Sequence, residues 1–189
     1  YKNLRGTKII FEEINHDLNL EFSYQWNVSD KYGFIKKSKL INKNIDNINI
    51  RILDGVQNIL PWGLEQPTQN NTSNLVDAYK RSELEVKSGL GIFALSSIIV
   101  DKAEPSEALK ANVVWSLGFK TSQKLLSSSQ LKKFREEGLI NQEVDIKAEK
   151  GAYFINTEVN LKASEEKKWL MCADVNKTSA DIISLSNEI

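Results

Sequence analysis

Histidine and cysteine are almost absent from this 189-residue sequence, which contains only His16 and Cys172. A single cysteine excludes a disulfide bond within the chain and a cysteine-based metal cluster. A single histidine excludes a metal site built on two histidines and an acid–base pair of histidines. Cys172 lies in the apolar segment WLMCADV, so we predict a buried, unreactive thiol. We expect no metal and no cofactor in this chain.

The sequence also lacks net charge and long apolar runs. It has 25 Lys and Arg against 25 Asp and Glu, so it offers no electrostatic footprint for nucleic acid or for an anionic membrane surface. No apolar run approaches the roughly 20 residues that span a bilayer. The first residue is Tyr1 rather than Met, so a periplasmic or secreted location is compatible with removal of a leader. We assign no compartment, and expect a soluble chain.

Alternating apolar and polar residues predict that most of the chain forms β-strands. The clearest pattern lies within residues 17–28, where every second residue is apolar, namely Leu18, Leu20, Phe22, Tyr24 and Trp26. Similar strand patterns cover residues 8–14, 32–41, 45–53, 89–101, 108–119, 143–163 and 167–175. About ten strands without a parallel βαβ series predict an all-β fold, an antiparallel sandwich, in one domain spanning residues 1–176.

Two helices are predicted among these strands. Residues 127–138 have a serine-rich start, Leu131 and Phe134 one turn apart, and a terminal Gly138. The second helix lies in residues 177–189, where apolar residues recur at near-helical spacing after a Thr or Ser cap. This helix either folds back on the domain or begins a linker to a further region, and we favour the linker.

Residues 53–91 are rich in turn residues, aromatics and charge, and they predict an elaborate surface loop. Trp62 lies there between two prolines, where its flat face could stack on a sugar, cap a neighbouring domain or plug the end of the sandwich. Trp26 and Trp115 fit the core better. The candidate contacts to carbohydrate or to a neighbouring domain are Trp62, Glu65, Asp77, Tyr79, Arg81 and Glu83.

Acidic residues leave a catalytic alternative open. Glu65, Asp77, Glu83 and Glu85 lie in the loop block, and Asp101, Glu104 and Glu107 in a later turn, so two carboxylates could flank a glycosidic bond. Solvated loop acids explain the same pattern. No Gly-rich phosphate loop and no G-x-S-x-G motif occurs. We therefore predict no catalytic residue.

Four segments resemble a known arrangement of carbohydrate-active proteins. They are FSYQWNVSDKYGFIKKSKL (22–40), LDGVQNILPWGL (53–64), SNLVDAYKRSEL (73–84) and GLGIFALSSIIVDKAEPSEALKANVVWS (89–116). Their order resembles the N-terminal part of large bacterial proteins related to cellobiose phosphorylases and glucoamylases. The resemblance implies a galactose-mutarotase-like super-β-sandwich, joined by linker helices to an (α/α) toroid that holds the catalytic acids. One histidine cannot supply the catalytic set of true mutarotases, so only the fold is carried over.

Three functions remain open from the sequence. The first is a non-catalytic accessory domain of a glycoside hydrolase-like or phosphorylase-like protein, which packs against its own C-terminal helical domain and whose loops could contribute to the sugar site. The second is an independent carbohydrate-binding module. The third is a small enzyme acting through loop carboxylates. The first two predict carbohydrate as a direct or indirect partner, and none predicts nucleic acid or a membrane.

Overall fold

The protein is described here by a computed structural model, which covers residues 1–97 and 108–189. The strands form two antiparallel sheets. The larger sheet has eight strands, in the spatial order β1 (Ile9–Asn15), β2 (Leu20–Ser29), β3 (Gly33–Asn42), β11 (Glu166–Thr178), β7 (Lys110–Leu117), β6 (Leu90–Leu95), β5 (Lys80–Glu85) and β9 (Asp145–Lys147). The smaller sheet has the order β4 (Ile48–Ile59), β10 (Gly151–Leu161) and β8 (Gln123–Leu125).

The main core lies between the two sheets. Strand alternation points one side chain in two from each sheet into this space, and large residues fill it, among them Phe93, Tyr153, Ile155, Trp169 and Met171. The predicted antiparallel β-sandwich is confirmed. Each strand predicted from alternation corresponds to a strand here, although the predicted strand 89–101 becomes β6, which ends at Leu95. Residues 98–101 of it lie outside the described residues, as do Pro105 and the acids Asp101, Glu104 and Glu107.

Within the described residues, four helices connect or cover the strands: α1 (Gln66–Asn71), α2 (Ser73–Ala78), α3 (Leu131–Glu137) and α4 (Ser179–Glu188). The predicted helix at 127–138 is confirmed as α3, and its C-cap Gly138 has a φ of +67°, the left-handed geometry that glycine adopts without strain. The predicted cap of α4 is also present. Thr178 accepts a hydrogen bond from Asp181 N while the Asp181 side chain accepts one from Thr178 N.

Helix α4 folds back onto the outer face of the large sheet. Its apolar residues Ile182, Leu185 and Ile189 pack against a cluster of buried residues that consists of Leu90, Val113, Trp115 and Cys172. Burial raises the pKa of the Cys172 thiol to about 11, so the predicted buried thiol is confirmed. The contacts agree with the alternative in which this helix folds back on the domain, whereas the favoured linker stays a prediction.

The smaller sheet covers only part of the inner face of the large sheet. Strand pairing places Ile9 opposite Trp26, Phe11 opposite Tyr24 and Val28 opposite Phe34, all on the inner face. Ile9, Phe11, Val28 and Phe34 are exposed there, so we call these four residues the uncovered inner face. The expectation of a core position holds for Trp115 but not for Trp26. Trp26 is half-buried because it lies beyond the covered part of the face.

Candidate functional site

A cavity of about 490 Å³ lies at one end of the sandwich, where β4 ends and β5 begins. Helices α1 and α2 form its outer side. We call it the helix–loop cavity, and its lining consists of Asn58, Ile59, Leu60, Gln66, Gln69, Asn70, Ser73, Lys80 and Lys150. Four side-chain amides, one hydroxyl and two ammonium groups therefore surround the space, together with the apolar Ile59 and Leu60.

Local sequence explains how this cavity is built. Pro67 lies in the first turn of α1, where proline is well tolerated because the first N–H groups of a helix have no partner within it. The next helix, α2, turns Val76 into the protein, where it is fully buried. The loop before α1 is tied down by Asn112 on β7, whose amide donates a 2.8 Å hydrogen bond to Leu60 O. These contacts hold the wall of the cavity against the large sheet.

A buried lysine is the main charged group of the cavity. Lys80 is only 4% exposed, and its ammonium donates a 2.8 Å hydrogen bond to Asp77 Oδ1 and another to Gln69 Oε1. Gln69 Nε2 in turn donates to Asp77 Oδ1 at 3.3 Å. A buried charge requires such partners, since an unpaired ammonium would be strongly destabilising. The three side chains form a closed, electrically neutral network on the cavity wall.

The network determines the protonation of Asp77. Burial alone raises the pKa of Asp77, but the hydrogen bond and charge of Lys80 and the Gln69 amide outweigh it, so the pKa lies below its ordinary value. Asp77 is therefore ionised at neutral pH. A general acid requires a pKa near the working pH, and Asp77 does not meet this requirement.

The structure corrects the predicted loop block at both ends. Residues 53–59 belong to β4, and residues 80–85 form β5, so the irregular part spans residues 60–79 with two short helices inside it. The sequence suggested a loop over all of 53–91 because the polar and charged residues of β4 and β5 resemble those of a loop. Lys80, Ser82 and Leu84 alternate with Arg81, Glu83 and Glu85 along β5, and only the first three are buried.

The six predicted contact residues do not form one cluster. Asp77 belongs to the network with Lys80, whereas Arg81 and Glu83 point to the opposite face of β5. There the Arg81 guanidinium pairs with Glu83 at 2.9 Å and with Asp145 on β9 at 3.0 Å. The Arg81 guanidinium holds the pKa of Asp145 below its ordinary value, with Lys147 adding a smaller effect. These residues form an ion-pair group on the strand surface.

The remaining predicted contacts lie around the rim of the irregular segment. Trp62 is 39% exposed, and the Lys110 ammonium lies 5.7 Å from the centre of its ring, which is a cation–π arrangement. Its exposure argues against the interpretation that it plugs the sandwich. Glu65 is exposed at the start of α1, and Tyr79 is half-buried after α2.

Several residues of the cavity were not predicted from the sequence, above all Gln69 and Lys80. Lys80 could have been found from the alternation of β5, because its position matches the buried face that also contains Ser82 and Leu84. Gln69 gave no signal, since its burial depends on how α1 packs. Among residues 1–97 and 108–189, no group of three or more His, Cys, Asp or Glu side chains is arranged to hold a metal ion. The helices described in these ranges include none that is long and apolar enough to cross a bilayer.

Comparisons with known proteins give matches among solved structures. No family model matches the chain, and no curated protein sequence does either. One similar structure is described as a kojibiose phosphorylase from the human microbiome, with 12% sequence identity and a TM-score of 0.43. The match covers 96% of this chain but 19% of that protein.

A second similar structure is a galactose mutarotase-like protein from Clostridium acetobutylicum. Its sequence identity is 9% and its TM-score is 0.40, and the match covers 90% of this chain and 62% of that protein. The two proteins are of the kinds that the sequence resemblance names. The likeness concerns the general arrangement of the fold, and no residue role is carried over from either protein. This chain spans only part of the length of these two solved proteins.

Proposed function

We propose that this chain is a non-catalytic β-sandwich domain of a carbohydrate-processing protein and that its helix–loop cavity contacts the sugar. The observation that carries this proposal is the chemistry of the cavity lining. Asn58, Gln66, Asn70 and Ser73 offer both donors and acceptors, which suits a ligand covered with hydroxyl groups.

The charge of the cavity wall supports binding over catalysis. The Lys80 ammonium is neutralised by Asp77, so of the two ammonium groups in the lining it is Lys150, outside this network, that is left to contact a ligand as a charge. The ionised Asp77 is engaged by two donors and has no proton to give to a leaving group. Glu83 and Glu85, the two predicted acids on β5, lie on the face of that strand opposite to Lys80. The catalytic alternative of paired loop carboxylates is therefore not the function we propose.

The uncovered inner face supports the accessory role. Ile9, Phe11, Val28 and Phe34 are between 40% and 72% exposed on the same face of the large sheet. A continuous apolar surface of this kind is typical of a protein–protein contact. We propose that it packs against a helical domain of the same protein and that residues 177–189 lead towards that domain.

A titration of the purified chain tests the sugar contact. Kojibiose, maltose, cellobiose and laminaribiose would be titrated into labelled protein, and amide shifts followed by NMR. We expect shifts at Gln66, Asn70 and Ser73, and weaker binding in the Gln66→Ala and Asn70→Ala variants. Asn74→Ala is the matched control, because Asn74 is an exposed amide of α2 outside the cavity lining. The proposal is contradicted if none of the four sugars shifts the amide signals of the cavity residues.

The exposed indole of Trp62 supports a second candidate, an independent carbohydrate-binding module. That function predicts that the isolated chain binds a polysaccharide strongly and that Trp62→Ala abolishes the binding. The accessory role predicts instead that binding by the isolated chain is weak and strengthens when the adjoining helical domain is present. Parallel calorimetric titrations of both forms with the same glycan distinguish the two functions.

A further inference from the structure

The outer face of the smaller sheet carries a second groove, remote in the topology from the helix–loop cavity. Only one part of this face is covered, where Leu53, Leu125 and Phe154 pack beneath α3 and Ile140. The remaining part lies beside β8 and the segment after α3. We call it the outer groove. Its volume is about 500 Å³, and its lining consists of Arg51, Thr121, Ser122, Gln123, Gly138, Leu139, Ile140, Asn156, Thr157 and Glu158.

An unsatisfied amide lies in the wall of the outer groove. Asn156 is 8% exposed, and its Nδ2 donates a 2.9 Å hydrogen bond to Gln123 Oε1. The other polar atom of the amide, Oδ1, is buried and has no hydrogen-bond partner within residues 1–97 and 108–189. Buried polar atoms are nearly always paired, so the unpaired Oδ1 of this groove-lining residue is an acceptor that a donor from a ligand could satisfy once the side chain turns towards the groove.

The charges of the outer groove are balanced. Arg51 donates a hydrogen bond to Gly138 O, and its guanidinium lies 4.0 Å from the carboxylate of Glu158. Glu158 also accepts a 2.5 Å hydrogen bond from the amide of Asn49. Because the positive and the negative group lie side by side, the groove has no excess charge to attract a phosphate or a carboxylate. Its chemistry favours a neutral ligand with many hydroxyl groups.

Strand pairing fixes the polar groups in place. Arg51 on β4 is paired with Glu158 on β10, and Asn156 on β10 is paired with Gln123 on β8. Pairing fixes the backbone positions of these residues, and the hydrogen bonds from Arg51 to Gly138 O and from Asn156 to Gln123 restrain their side chains before a ligand binds. The exposed Leu139 adds an apolar surface beside these groups. An amide, an ion pair and an aliphatic group together suit a sugar ring, which has both polar edges and apolar faces.

We infer that the outer groove is a second saccharide-binding site, in which Asn156, Gln123 and the Arg51–Glu158 pair bind the hydroxyl groups of a neutral sugar. The inference does not require the helix–loop cavity to bind sugar. If both sites bind, one polysaccharide chain or two neighbouring chains could be held at two places, which increases the overall affinity without any new contact.

The test follows side-chain amide signals of the intact chain by NMR during titration with maltose, cellobiose, kojibiose and laminaribiose. We expect at least one of these sugars to shift the signals of Asn156 and Gln123, and inorganic phosphate to leave them unchanged. The Asn156→Ala variant should weaken this binding about tenfold, the loss typical of one good hydrogen bond in a buried site. Asn160→Ala, at an exposed position of the same strand, is the matched control.

The Gln123→Ala variant keeps the test valid if Asn156→Ala does not fold, because Gln123 is exposed and its replacement removes one hydrogen bond, the one from Asn156 Nδ2, without opening a cavity in the core. Loss of binding in this variant would also support the second site. The inference is overturned if all four sugars leave Asn156 and Gln123 unchanged. Shifts confined to Gln66 and Asn70 would overturn it while supporting the helix–loop cavity, and shifts confined to the outer groove would do the reverse.

Discussion

Trp169 Nε1 donates a 2.7 Å hydrogen bond to Asp54 Oδ2, and this bond joins the central strand β11 of the large sheet to β4 of the small one. Asp54 also accepts a 3.0 Å hydrogen bond from Ser38 Oγ and pairs with the ammonium of Lys36. A carboxylate between two apolar sheets is stable only when its oxygens are satisfied in this way. The polar group thus fixes how the two sheets are placed against each other.

Replacing Asp54 should therefore be strongly destabilising. In Asp54→Ala the ammonium of Lys36, whose side chain is only 7% exposed, loses its charge partner, and we expect a loss of about 3–5 kcal/mol in the free energy of unfolding. The double variant Lys36→Met, Asp54→Leu should recover much of it, since no charge is then left unpaired. Denaturant unfolding of the two variants measures the difference. If the single and the double variant lose the same free energy of unfolding, the unpaired charge of Lys36 is not the cause of the destabilisation.

The Asp77–Lys80 pair predicts a dependence of stability on pH. Because the folded-state pKa of Asp77 is lowered, its contribution is complete above the unfolded pKa of about 4 and is lost as the pH falls through the folded pKa. We expect Asp77→Asn to cost about 2 kcal/mol at pH 7. The gap between wild type and variant should narrow as the pH falls below about 4 towards the folded pKa. Urea titrations at pH 7, 5 and 3 measure it, and a constant gap would contradict the assignment.

Cys172 reports on the attachment of α4. Its burial and raised pKa predict very slow reaction with a thiol reagent at pH 8 in the folded chain. Leu185→Ala weakens the packing of α4 and should speed the labelling of Cys172 about tenfold through local opening. Ile183→Ala is the control, because Ile183 is 63% exposed on the same helix. If both variants react at the wild-type rate, α4 does not protect the thiol.

Glu143 should be a structural anchor for the segment before α3. This buried carboxylate accepts hydrogen bonds from Leu126 N at 2.7 Å, Ser127 N at 2.9 Å and Gln130 Nε2 at 2.8 Å. Glu143→Ala leaves these donors unpaired, so we expect a loss of about 2–4 kcal/mol, whereas the exposed Glu149→Ala should be neutral. Thermal unfolding of both variants provides the measurement. If Glu143→Ala leaves the thermal stability unchanged, water replaces the hydrogen bonds of the carboxylate without loss of stability.

Alternation along the strands was enough to predict the sandwich, because its two faces differ in burial and the pattern has a period of two. It also placed Trp115 inside the protein, and the apolar segment WLMCADV did the same for Cys172. The same reasoning failed for Trp26, since the sequence does not reveal how far the small sheet extends over the large one. Only the packed structure shows where coverage ends.

The candidate sites were less predictable than the fold. The sequence does not distinguish Lys80 from the other charged residues of the chain. Its burial depends on its hydrogen bonds to Asp77 on α2 and Gln69 on α1. The outer groove could not be predicted from the sequence for a similar reason. Asn156 and Gln123 are 33 residues apart in the sequence, and only the register between β10 and β8 brings their amides together.

The central position of β11 has a consequence for how the chain folds. This strand joins β3 to β7, yet it follows every other described strand in the sequence, so it is synthesised last. Until Glu166–Thr178 has left the ribosome, the two halves of the large sheet have no shared neighbour and their facing edges stay unpaired. The large sheet is therefore completed only once this strand is available, and nascent chains that stall before it should depend on chaperones to avoid edge-to-edge aggregation.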